Sequence, residues 1–497
     1  MMDSSKPARV RVAPSPTGHM HLATARTALY DYLLARKTGG KFVLRIEDTD
    51  VKRTVPGSEQ EIMDGLHWLG LEYDEGPDVG GPFGPYRQTE RRDLYQQQAA
   101  ILVERGLAYP CFCTPERLEK MRQEQQAQKL PLHYDGLCRV IDADTARSRV
   151  GAGERHVIRF KTPKEGSTTA HDVLRGDIVV ENVHIDDYVL LKSDGLPTYH
   201  LAAVVDDHFM QITHVLRGAE WLSTFPLHVN VVRAFGWEEP AWVHLSLFLK
   251  PSGKGKLSKR DASEAIKDGY SIYVKDLQDL GFIPEGVLNW AALMGWGVAE
   301  DDVLTVADMI ERFDLERLTA SPAAINFTKL DHFNGTHIRL LAEAELARRV
   351  KPFFVEAGLP VQEQTLLRIA PLIKERLTTL DEAVPMGGFF FREAVAPVRE
   401  ELIGKGLTSA ESGNVLGQTL AILEKLEPFD AQTLDAALRA LVERMGLSTG
   451  QVFGVLRAAV TGQKVSPPLF ESMEIIGREQ VLRRLRSAQE MLGPHTA

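Results

Sequence analysis

Two histidines lie in a short stretch near the amino terminus, residues 13–24, which reads Ala-Pro-Ser-Pro-Thr-Gly-His-Met-His-Leu-Ala-Thr. His19 and His21 therefore stand beside the hydroxyl groups of Ser15 and Thr24. The first backbone amides of a helix have no partners within it, and the helix dipole is positive there, so a helix that begins here would bind an anion. These residue types predict phosphate chemistry. The alternative is that each histidine is only a helix cap or a surface residue.

A second group of residues that suits this chemistry is the run Lys-Leu-Ser-Lys-Arg at residues 256–260. Gly253 and Gly255 precede it and give the loop freedom to close over a ligand. Lys256 and Lys259 would then meet the negative charge that develops on a leaving pyrophosphate. A solvated basic loop is the alternative. The chain has neither G-x-x-x-x-G-K-[ST] nor G-x-G-x-x-G, so ATP would be held in another way.

The elements around the histidines can be predicted from periodicity. Residues 9–12 alternate polar and apolar side chains, as a strand does, and apolar residues from 25 to 33 repeat as one face of a helix over residues 24–37. Residues 42–46 form the next strand. A strand, helix and strand in this order predict a parallel sheet, with ligands at the carboxyl ends of its strands. Arg11, Ser15 and Glu47 would lie at that edge.

Further along the chain the pattern changes twice. Ser58 and Glu61 have the spacing of a capping box at the start of a helix. Residues 71–87 are a loop rich in Gly and Pro, and residues 155–192 are short strands that interrupt the first fold until about Thr198. Residues 340–497 predict one helix after another. The chain is thus expected to contain an α/β part with an insertion, followed by an all-α part.

Composition limits the classes of protein. Of the 497 residues, 44% are hydrophobic and 25% charged, which is typical of a globular chain, and the net charge of −10 argues against general nucleic-acid binding but not against a local basic face. No apolar run is long enough for a membrane span, and the amino terminus lacks the apolar core of a signal peptide. The three cysteines give no disulfide framework. The cytoplasm is the expected location.

The motifs together resemble those of class I aminoacyl-tRNA synthetases, and within that class the bacterial glutamyl-tRNA synthetases. The first three are residues 14–24, residues 45–50 (Arg-Ile-Glu-Asp-Thr-Asp) and the run at residues 256–260. The resemblance continues over essentially the whole chain at residues 80–88, 134–136, 191–195, 197–200, 205–208 and 217–221.

The resemblance implies a Rossmann-like parallel-sheet catalytic domain with an inserted α+β domain and an all-α anticodon-binding region. The implied domains are residues 1–110 and 198–255 for the two catalytic halves, 111–197 for the acceptor-binding insertion, 256–338 for a helical stem-contact domain, and 339–497 for the anticodon region, split near 398. The implied reaction activates glutamate with ATP and Mg²⁺ to glutamyl-adenylate and transfers it to the 3′ end of tRNA(Glu). A monomer is expected.

The resemblance also implies residue roles. Catalysis falls to His21, Lys256 and Lys259. ATP contacts fall to His19, His21, Ala23, Thr24, Glu220, Trp221 and Lys259. Arg11 and Arg217 would bind the carboxylates of glutamate, since the planar guanidinium suits a carboxylate, with Arg217 at the substrate side chain. Glu47 would bind the ammonium group, and Ser15 and Tyr199 complete the pocket. The arginines could otherwise be ordinary ion pairs.

Ala23 departs from the family signature, which has glycine where the backbone passes under the adenine. A methyl group at a position of close ligand approach predicts an active enzyme with weakened ATP binding.

Cys111, Cys113 and Cys138 have a spacing at which some relatives bind zinc, completed by a histidine whose place Val140 takes here. Tyr134 matches the fourth ligand of a shorter relative. Structural zinc prefers four ligands, so the alternatives are a zinc site of three cysteines and Tyr134, or three ordinary reduced cysteines.

Arg376 aligns with an arginine that reads the last anticodon base in enzymes restricted to glutamate tRNA, and its alternative is a solvated helix residue. Two other functions compete with a dedicated ligase. One is a tRNA-binding paralogue without catalysis, against which the retained histidine, lysines and arginines argue. The other is a ligase that also charges glutamine tRNA.

Overall fold

The computed structural model describes residues 6–257, 270–297 and 302–493. The chain divides into two compact units. The first comprises Met1–Leu277 and Val287–Lys329, and the second comprises Gln278–Gly286 and Leu330–Ala497. Among helices within the described ranges, none combines the length and the apolar character needed to cross a bilayer.

The first unit is an α/β structure that contains both parallel and antiparallel pairs of strands. The strands are β1 Arg9–Val12, β2 Lys41–Leu44, β3 Ala108–Cys111, β4 Val157–Phe160, β5 Ser167–Asp172, β6 Gly176–Glu181, β7 Val189–Leu191, β8 His214–Gly218, β9 Ala241–Leu245, β10 Phe248–Leu249 and β11 Ala323–Ala324. The helices up to residue 312 are α1 Leu22–Thr38, α2 Ser58–Trp68, α3 Arg92–Glu104, α4 Pro115–Ala127, α5 Ala143–Gly151, α6 Tyr199–Phe209, α7 Phe225–Phe235, α8 Val274–Asp279, α9 Pro284–Leu293 and α10 Val306–Arg312.

The predicted Rossmann-like parallel sheet is confirmed. Strand β1 pairs with β2 in parallel, and β8 pairs with β9 in parallel. The two pairs lie side by side, because the backbone amide of Thr213 donates to the carbonyl of Arg9. The carboxyl ends of β1, β2 and β8 are therefore close together, which is where a sheet of this kind binds ligands.

Helix α1 confirms the helix predicted over residues 24–37. It begins two residues earlier, at Leu22, and ends at Thr38, where Gly39 takes a left-handed conformation with φ 66°. Glycine adopts this conformation without steric cost, so its position fixes the end of the helix. Ala25, Ala28 and Leu29 of the predicted face are buried.

The strands between residues 155 and 192 do not form one separate sheet. Strands β3, β4 and β7 form an antiparallel sheet, whereas β6 and β5 continue the sheet of β9 and β8 through the parallel pair Asp172–Trp242. Hydrogen bonding in the sheet thus crosses the boundary predicted at residue 197. The finer boundaries at 110, 197, 255, 338 and 398 remain predictions.

The second unit is helical in its described part, as expected. The helix that leads into it is α11 Phe327–Leu340, and the others are α12 Glu343–Glu356, α13 Glu363–Lys374, α14 Ala383–Gly387, α15 Ser409–Leu423, α16 Ala431–Met445, α17 Thr449–Thr461, α18 Leu469–Ile476 and α19 Arg478–Leu492. They enclose two cores of buried aliphatic and aromatic side chains, one built from residues 283–391 and one from residues 402–492. Capping boxes start α15 and α17.

Candidate active site

The histidine stretch forms the turn between β1 and α1. His21 is the residue before the helix, in extended conformation (φ −81°, ψ 147°), and its Nδ1 accepts the backbone amide of Ala23 at 2.9 Å. A neutral imidazole that accepts at one nitrogen carries its proton on the other, so Nε2 is the donor of this ring. The residue that begins helix α1 thus also supplies an imidazole N–H donor, Nε2 of His21.

The capping box predicted at Ser58 and Glu61 is wrong. Gly57 precedes α2 in a left-handed conformation and no side chain caps that helix. Ser58 Oγ instead donates to the carbonyl of Gly18 at 2.6 Å and accepts the Gly18 amide at 3.0 Å. Glu61 pairs with Nδ1 of His19 at 2.7 Å. Both side chains therefore bond to the histidine turn and not to the backbone amides at the start of their own helix.

A cavity of about 220 Å³ opens beside this turn. Eleven of the predicted site residues line it: Arg11, Ser15, His21, Ala23, Thr24, Glu47, Tyr199, Arg217, Glu220, Trp221 and Lys256. His19 does not line it, and its side chain is 57% exposed beside Glu61. Lys259 lies outside the described residues.

Arg11 enters the cavity from the end of β1 and is neutralised by a carboxylate. Its Nε donates to Asp207 Oδ1 at 2.9 Å, and its Nη1 donates to the Leu216 carbonyl at 3.2 Å. Burial lowers the pKa of the Arg11 guanidinium, but the charge and hydrogen bond of Asp207, with the help of Tyr199, leave that pKa raised overall. Asp207 also accepts from Arg45 at 2.7 Å. The result is a buried network with alternating charges.

Glu47 follows β2 and belongs to the same network. Its Oε1 accepts from Arg45 Nη2 at 3.2 Å. Burial raises the pKa of the Glu47 carboxyl, while Arg45 and Arg11 act in the opposite direction. Glu47 is the acidic group predicted to face an ammonium, and it is one wall of the cavity.

Arg217, at the end of β8, has a different environment. Its Nε donates to His244 Nε2 at 2.9 Å and its Nη1 donates to His228 Nδ1 at 2.8 Å, while Nη2 is buried without a hydrogen-bond partner. Burial lowers the pKa of the Arg217 guanidinium. Tyr199, whose hydroxyl lies 3.5 Å from Arg217 Nη1, stacks on Trp221 with ring centroids 3.9 Å apart. A guanidinium that lines a cavity without a carboxylate partner is suited to a substrate carboxylate.

The other end of the cavity carries Lys256 and Glu220. Lys256 Nζ lies 3.5 Å from Glu220 Oε1, and both side chains are about half exposed. Lys256 belongs to a hairpin that begins with β10, in which the Leu257 amide donates to the Phe248 carbonyl. The hairpin thereby brings this lysine to the start of α1, where His21 and Thr24 lie.

The structure adds residues that sequence reasoning missed. Arg26 of α1 lines the cavity and donates to the Met294 carbonyl at 2.8 Å and to the backbone and side chain of Ser246. His228 and His244 hold Arg217. The apolar periodicity of their own helix or strand marks these positions only as core. The sequence signal at these positions is a charged or imidazole side chain that interrupts an apolar pattern.

The predicted metal ligands converge in space. The Sγ atoms of Cys111, Cys113 and Cys138 lie within 4.8 Å of one another, and Cys113 and Cys138 are 3.6 Å apart. The Tyr134 hydroxyl lies 3.5 Å from Cys111 Sγ and 3.4 Å from Cys113 Sγ. Sulfur and oxygen ligands of a tetrahedral zinc ion are about 3.5 to 3.8 Å apart. The donor set fits zinc, whereas the side chain of Val140 is exposed.

Arg376, in the second unit, follows helix α13 and is exposed. Its Nη1 donates to the Ser466 carbonyl at 2.8 Å, and Arg457 Nη1 donates to the same carbonyl at 3.1 Å. Burial and then the charge of Arg376 lower the pKa of Arg457. The two guanidinium groups form a basic pair on this surface.

Two family models match this sequence. The model described as tRNA synthetases class I (E and Q), catalytic domain, matches residues 7–332, and the model described as anticodon binding domain matches residues 345–489.

Individual relatives agree with the models. A glutamate–tRNA ligase of Dehalococcoides mccartyi is 43% identical over 486 residues, covering 97% of each chain, and one of Roseiflexus sp. is 43% identical over 501 residues, covering 98% and 97%. Among solved structures, a glutamate tRNA ligase of Elizabethkingia meningosepticum in complex with its amino acid superimposes with a TM-score of 0.89 at 37% identity, covering 98% of this chain and all of that one.

Proposed function

This chain belongs to the glutamate–tRNA ligases, within the class I tRNA synthetases for glutamate and glutamine, and we infer that it joins glutamate to the 3′ end of tRNA(Glu). The reaction uses ATP and Mg²⁺. In the first step the α-carboxylate of glutamate attacks the α-phosphate of ATP, giving glutamyl-adenylate and pyrophosphate. In the second step a hydroxyl group of the terminal adenosine of tRNA takes the glutamyl group and AMP leaves.

The amino-acid end of the cavity supports glutamate. Arg217 would receive the side-chain carboxylate, because it lines the cavity and forms no ion pair with a carboxylate of the described residues. Glu47 is placed to receive the α-ammonium group. The hydrogen bonds of Arg11 to Asp207 and Leu216 use three of its five N–H groups, so two remain for the α-carboxylate. Ser15 and Tyr199 complete this end.

The ATP end of the cavity combines a helix start with cations. The first turn of α1, which includes Ala23 and Thr24, would face the nucleotide with its positive end. His21 and Lys256 would bind the phosphates, Lys259 would add a second ammonium group, and Glu220 and Trp221 would hold the nucleoside. These groups act by positioning the reactants and by stabilising charge on the pyrophosphate. His19, paired with Glu61, would act at the rim.

We also propose a zinc ion bound by Cys111, Cys113, Cys138 and Tyr134, supported by the convergence of these four donors. When bound, zinc would cross-link the segment after β3 to the segment around Cys138 and stabilise both. We propose that Arg376 contacts the last base of the anticodon, supported by its exposure and by the neighbouring charge of Arg457.

One observation carries the function: a single cavity is lined by Arg217, Arg11 and Glu47 and by the helix start that holds His21. The test is glutamate-dependent activation of ATP, followed by charging of separated glutamate and glutamine tRNAs. We expect glutamylation of tRNA(Glu). Failure to charge either tRNA would overturn the enzymatic function. Equal charging of both would overturn the role of Arg376, and Arg376→Ala against Arg368→Ala, an exposed arginine of α13, isolates that role.

A further inference from the structure

Arg217 is joined to four other side chains in an ordered series of hydrogen bonds. Asp172 Oδ2 lies 2.7 Å from His244 Nδ1, and His244 Nε2 accepts from Arg217 Nε. On the other side, Arg217 Nη1 donates to His228 Nδ1, and His228 Nε2 lies 2.9 Å from His200 Nδ1. Asp172, His244, Arg217, His228 and His200 thus form one connected array.

The hydrogen-bond donors in this array determine which ring nitrogen of each histidine carries the proton. Arginine has only N–H donors, so the nitrogens that face it, His244 Nε2 and His228 Nδ1, are unprotonated. His244 therefore donates from Nδ1 to Asp172, and His228 donates from Nε2 to His200. Both imidazoles that contact Arg217 are neutral. The Asp172 carboxylate is itself fixed, because it accepts the backbone amides of His244, Leu174 and Arg175.

Four other arginines of this unit pair with carboxylates, unlike Arg217 and the cavity-lining Arg26. Arg9 pairs with Glu75, Arg91 with Asp206, and Arg11 and Arg45 with Asp207. Each of these guanidinium groups has its charge compensated by a carboxylate within hydrogen-bond distance. Among the described residues, no carboxylate forms an ion pair with Arg217, and its side-chain acceptors, two imidazoles and the Tyr199 hydroxyl, are uncharged. A carboxylate at either place would cancel the charge and repel a substrate carboxylate.

We propose that His228 and His244 are positioning residues that fix the Arg217 guanidinium through neutral acceptors, so that its uncompensated charge selects the side-chain carboxylate of glutamate over the amide of glutamine. This inference rests on the proposed function of the same cavity. His244 links the Arg217 guanidinium to the fixed carboxylate of Asp172, and His228 holds the guanidinium from the opposite side. Arg217 lines the cavity, so its uncompensated charge faces the proposed ligand site. Selectivity then follows from charge, since glutamate and glutamine have nearly the same shape.

The test is a set of substitutions at one acceptor. In His228→Asn the amide oxygen takes the place of Nδ1 and keeps a neutral acceptor, whereas His228→Leu removes the acceptor and His228→Asp replaces it with a charge. We expect His228→Leu to raise the glutamate KM by about tenfold or more with a smaller change in kcat, and His228→Asn to recover most of that loss. His228→Asp should raise the glutamate KM most and reduce the ratio of glutamate to glutamine activation.

The ATP KM should remain within about twofold of the wild-type value in all three variants, because the array does not contact the ATP end. His208→Asn is the matched control, since His208 stacks on Trp237 outside the cavity, and its glutamate KM should not change. His244→Gln against His244→Leu repeats the comparison if a His228 variant does not fold.

Equal glutamate KM values for the Asn and Leu variants, or an equal rise in the ATP KM, would overturn the inference, as would an unchanged selectivity in His228→Asp. A wild-type protein that does not activate glutamate would overturn the proposed function itself, so the two failures are distinguishable.

Discussion

His21 contacts the start of α1 in the structure, and its contact with phosphate is part of the proposal. Its Nδ1 caps the first turn of α1 by accepting the Ala23 amide, which fixes the ring and makes Nε2 the donor. Ring orientation is therefore set by the helix and not by the nucleotide. A phosphate at the helix start would meet a donor that is already in place.

Ala23 is the residue at which we expect a gain of function. Replacement by glycine removes the methyl group that lines the cavity. We predict that Ala23→Gly lowers the ATP KM by about fivefold, as relief of about 1 kcal/mol of crowding would do, with an unchanged glutamate KM. Initial-rate kinetics with ATP varied at saturating glutamate measure this. If the ATP KM and kcat stay the same, Ala23 is a neutral variation.

Lys256 is expected to act on charge at the pyrophosphate. We predict that Lys256→Ala lowers the rate constant of glutamate activation by about 10²-fold or more, since loss of one group that stabilises developing charge has effects of this size. Lys254→Ala, two residues away and outside the cavity lining, should change it by about twofold at most. Single-turnover measurements compare the two. If both substitutions have similar effects, Lys256 is a solvated lysine without a special role in activation.

At the scale of elements, the start of α2 acts on the histidine turn. Ser58 makes two hydrogen bonds to Gly18. We predict that Ser58→Ala lowers the free energy of unfolding by about 1 to 3 kcal/mol and reduces kcat/KM for ATP, because the turn loses a donor and an acceptor. Denaturant unfolding and ATP kinetics measure both. Gln60→Ala, an exposed change on the same helix, is the control. An unchanged kcat/KM would show that the turn keeps its geometry without α2.

The segments around Cys111 and Cys138 should depend on metal. We predict that the purified protein binds about one zinc ion per chain, that chelation lowers its Tm, and that Tyr134→Phe weakens zinc binding by about tenfold or more. Elemental analysis and competition with a chelating dye measure occupancy and affinity. Tyr188→Phe, in the same part of the chain, is the control. Absence of zinc after reconstitution would leave three reduced cysteines, and unchanged affinity in Tyr134→Phe would exclude the phenol as a ligand.

Elements defined by local signals could be predicted from the sequence. Helix α1 and its end at Gly39 follow from apolar periodicity and one glycine. The start of α2 could not be predicted correctly. Ser58 and Glu61 could cap their own helix, but they bond to Gly18 and His19 instead, and the sequence does not distinguish these partners. Helix α13 ends at Lys374, and tertiary bonds hold the chain beyond it, such as that of the Leu380 amide to the Gly281 carbonyl.

The site itself could be predicted where motifs are contiguous. Ser15, His21 and Glu47 follow from short runs at the ends of predicted strands. The partners of the arginines do not, because Asp172, His228 and His244 lie in segments whose apolar pattern predicts only burial. Contacts between distant segments leave no periodic trace in a single sequence.

At the scale of the whole molecule, acid should destabilise the chain. Burial, followed by the charge of Arg217, lowers the pKa of His200 to about 4, and burial is also the main cause that lowers the pKa of His244 to about 4. The unfolded chain, with histidines near their ordinary pKa of 6.5, binds more protons between these values. Stability is therefore retained above pH 6.5 and falls as the pH decreases towards 4.

We predict that the urea midpoint is lower at pH 5 than at pH 7, and that His200→Gln flattens this dependence by up to about 1.4 kcal/mol per pH unit. Urea unfolding at several pH values above 5 measures the slope before most carboxyl groups titrate. His171→Gln, at an exposed histidine of β5, is the control. Equal midpoints at pH 5 and pH 7 would contradict the buried, neutral state of these histidines.

The ion pair between Arg11 and Asp207 also has a consequence for synthesis of the chain. Its partners are 196 residues apart in the sequence. At about 5 to 20 residues per second, the ribosome delivers Asp207 about 10 to 40 s after Arg11. During that interval β1 and α1 are already made, but the guanidinium that they must bury has no carboxylate. Burial of Arg11 beside its carboxylate must therefore wait until the next 196 residues have been made.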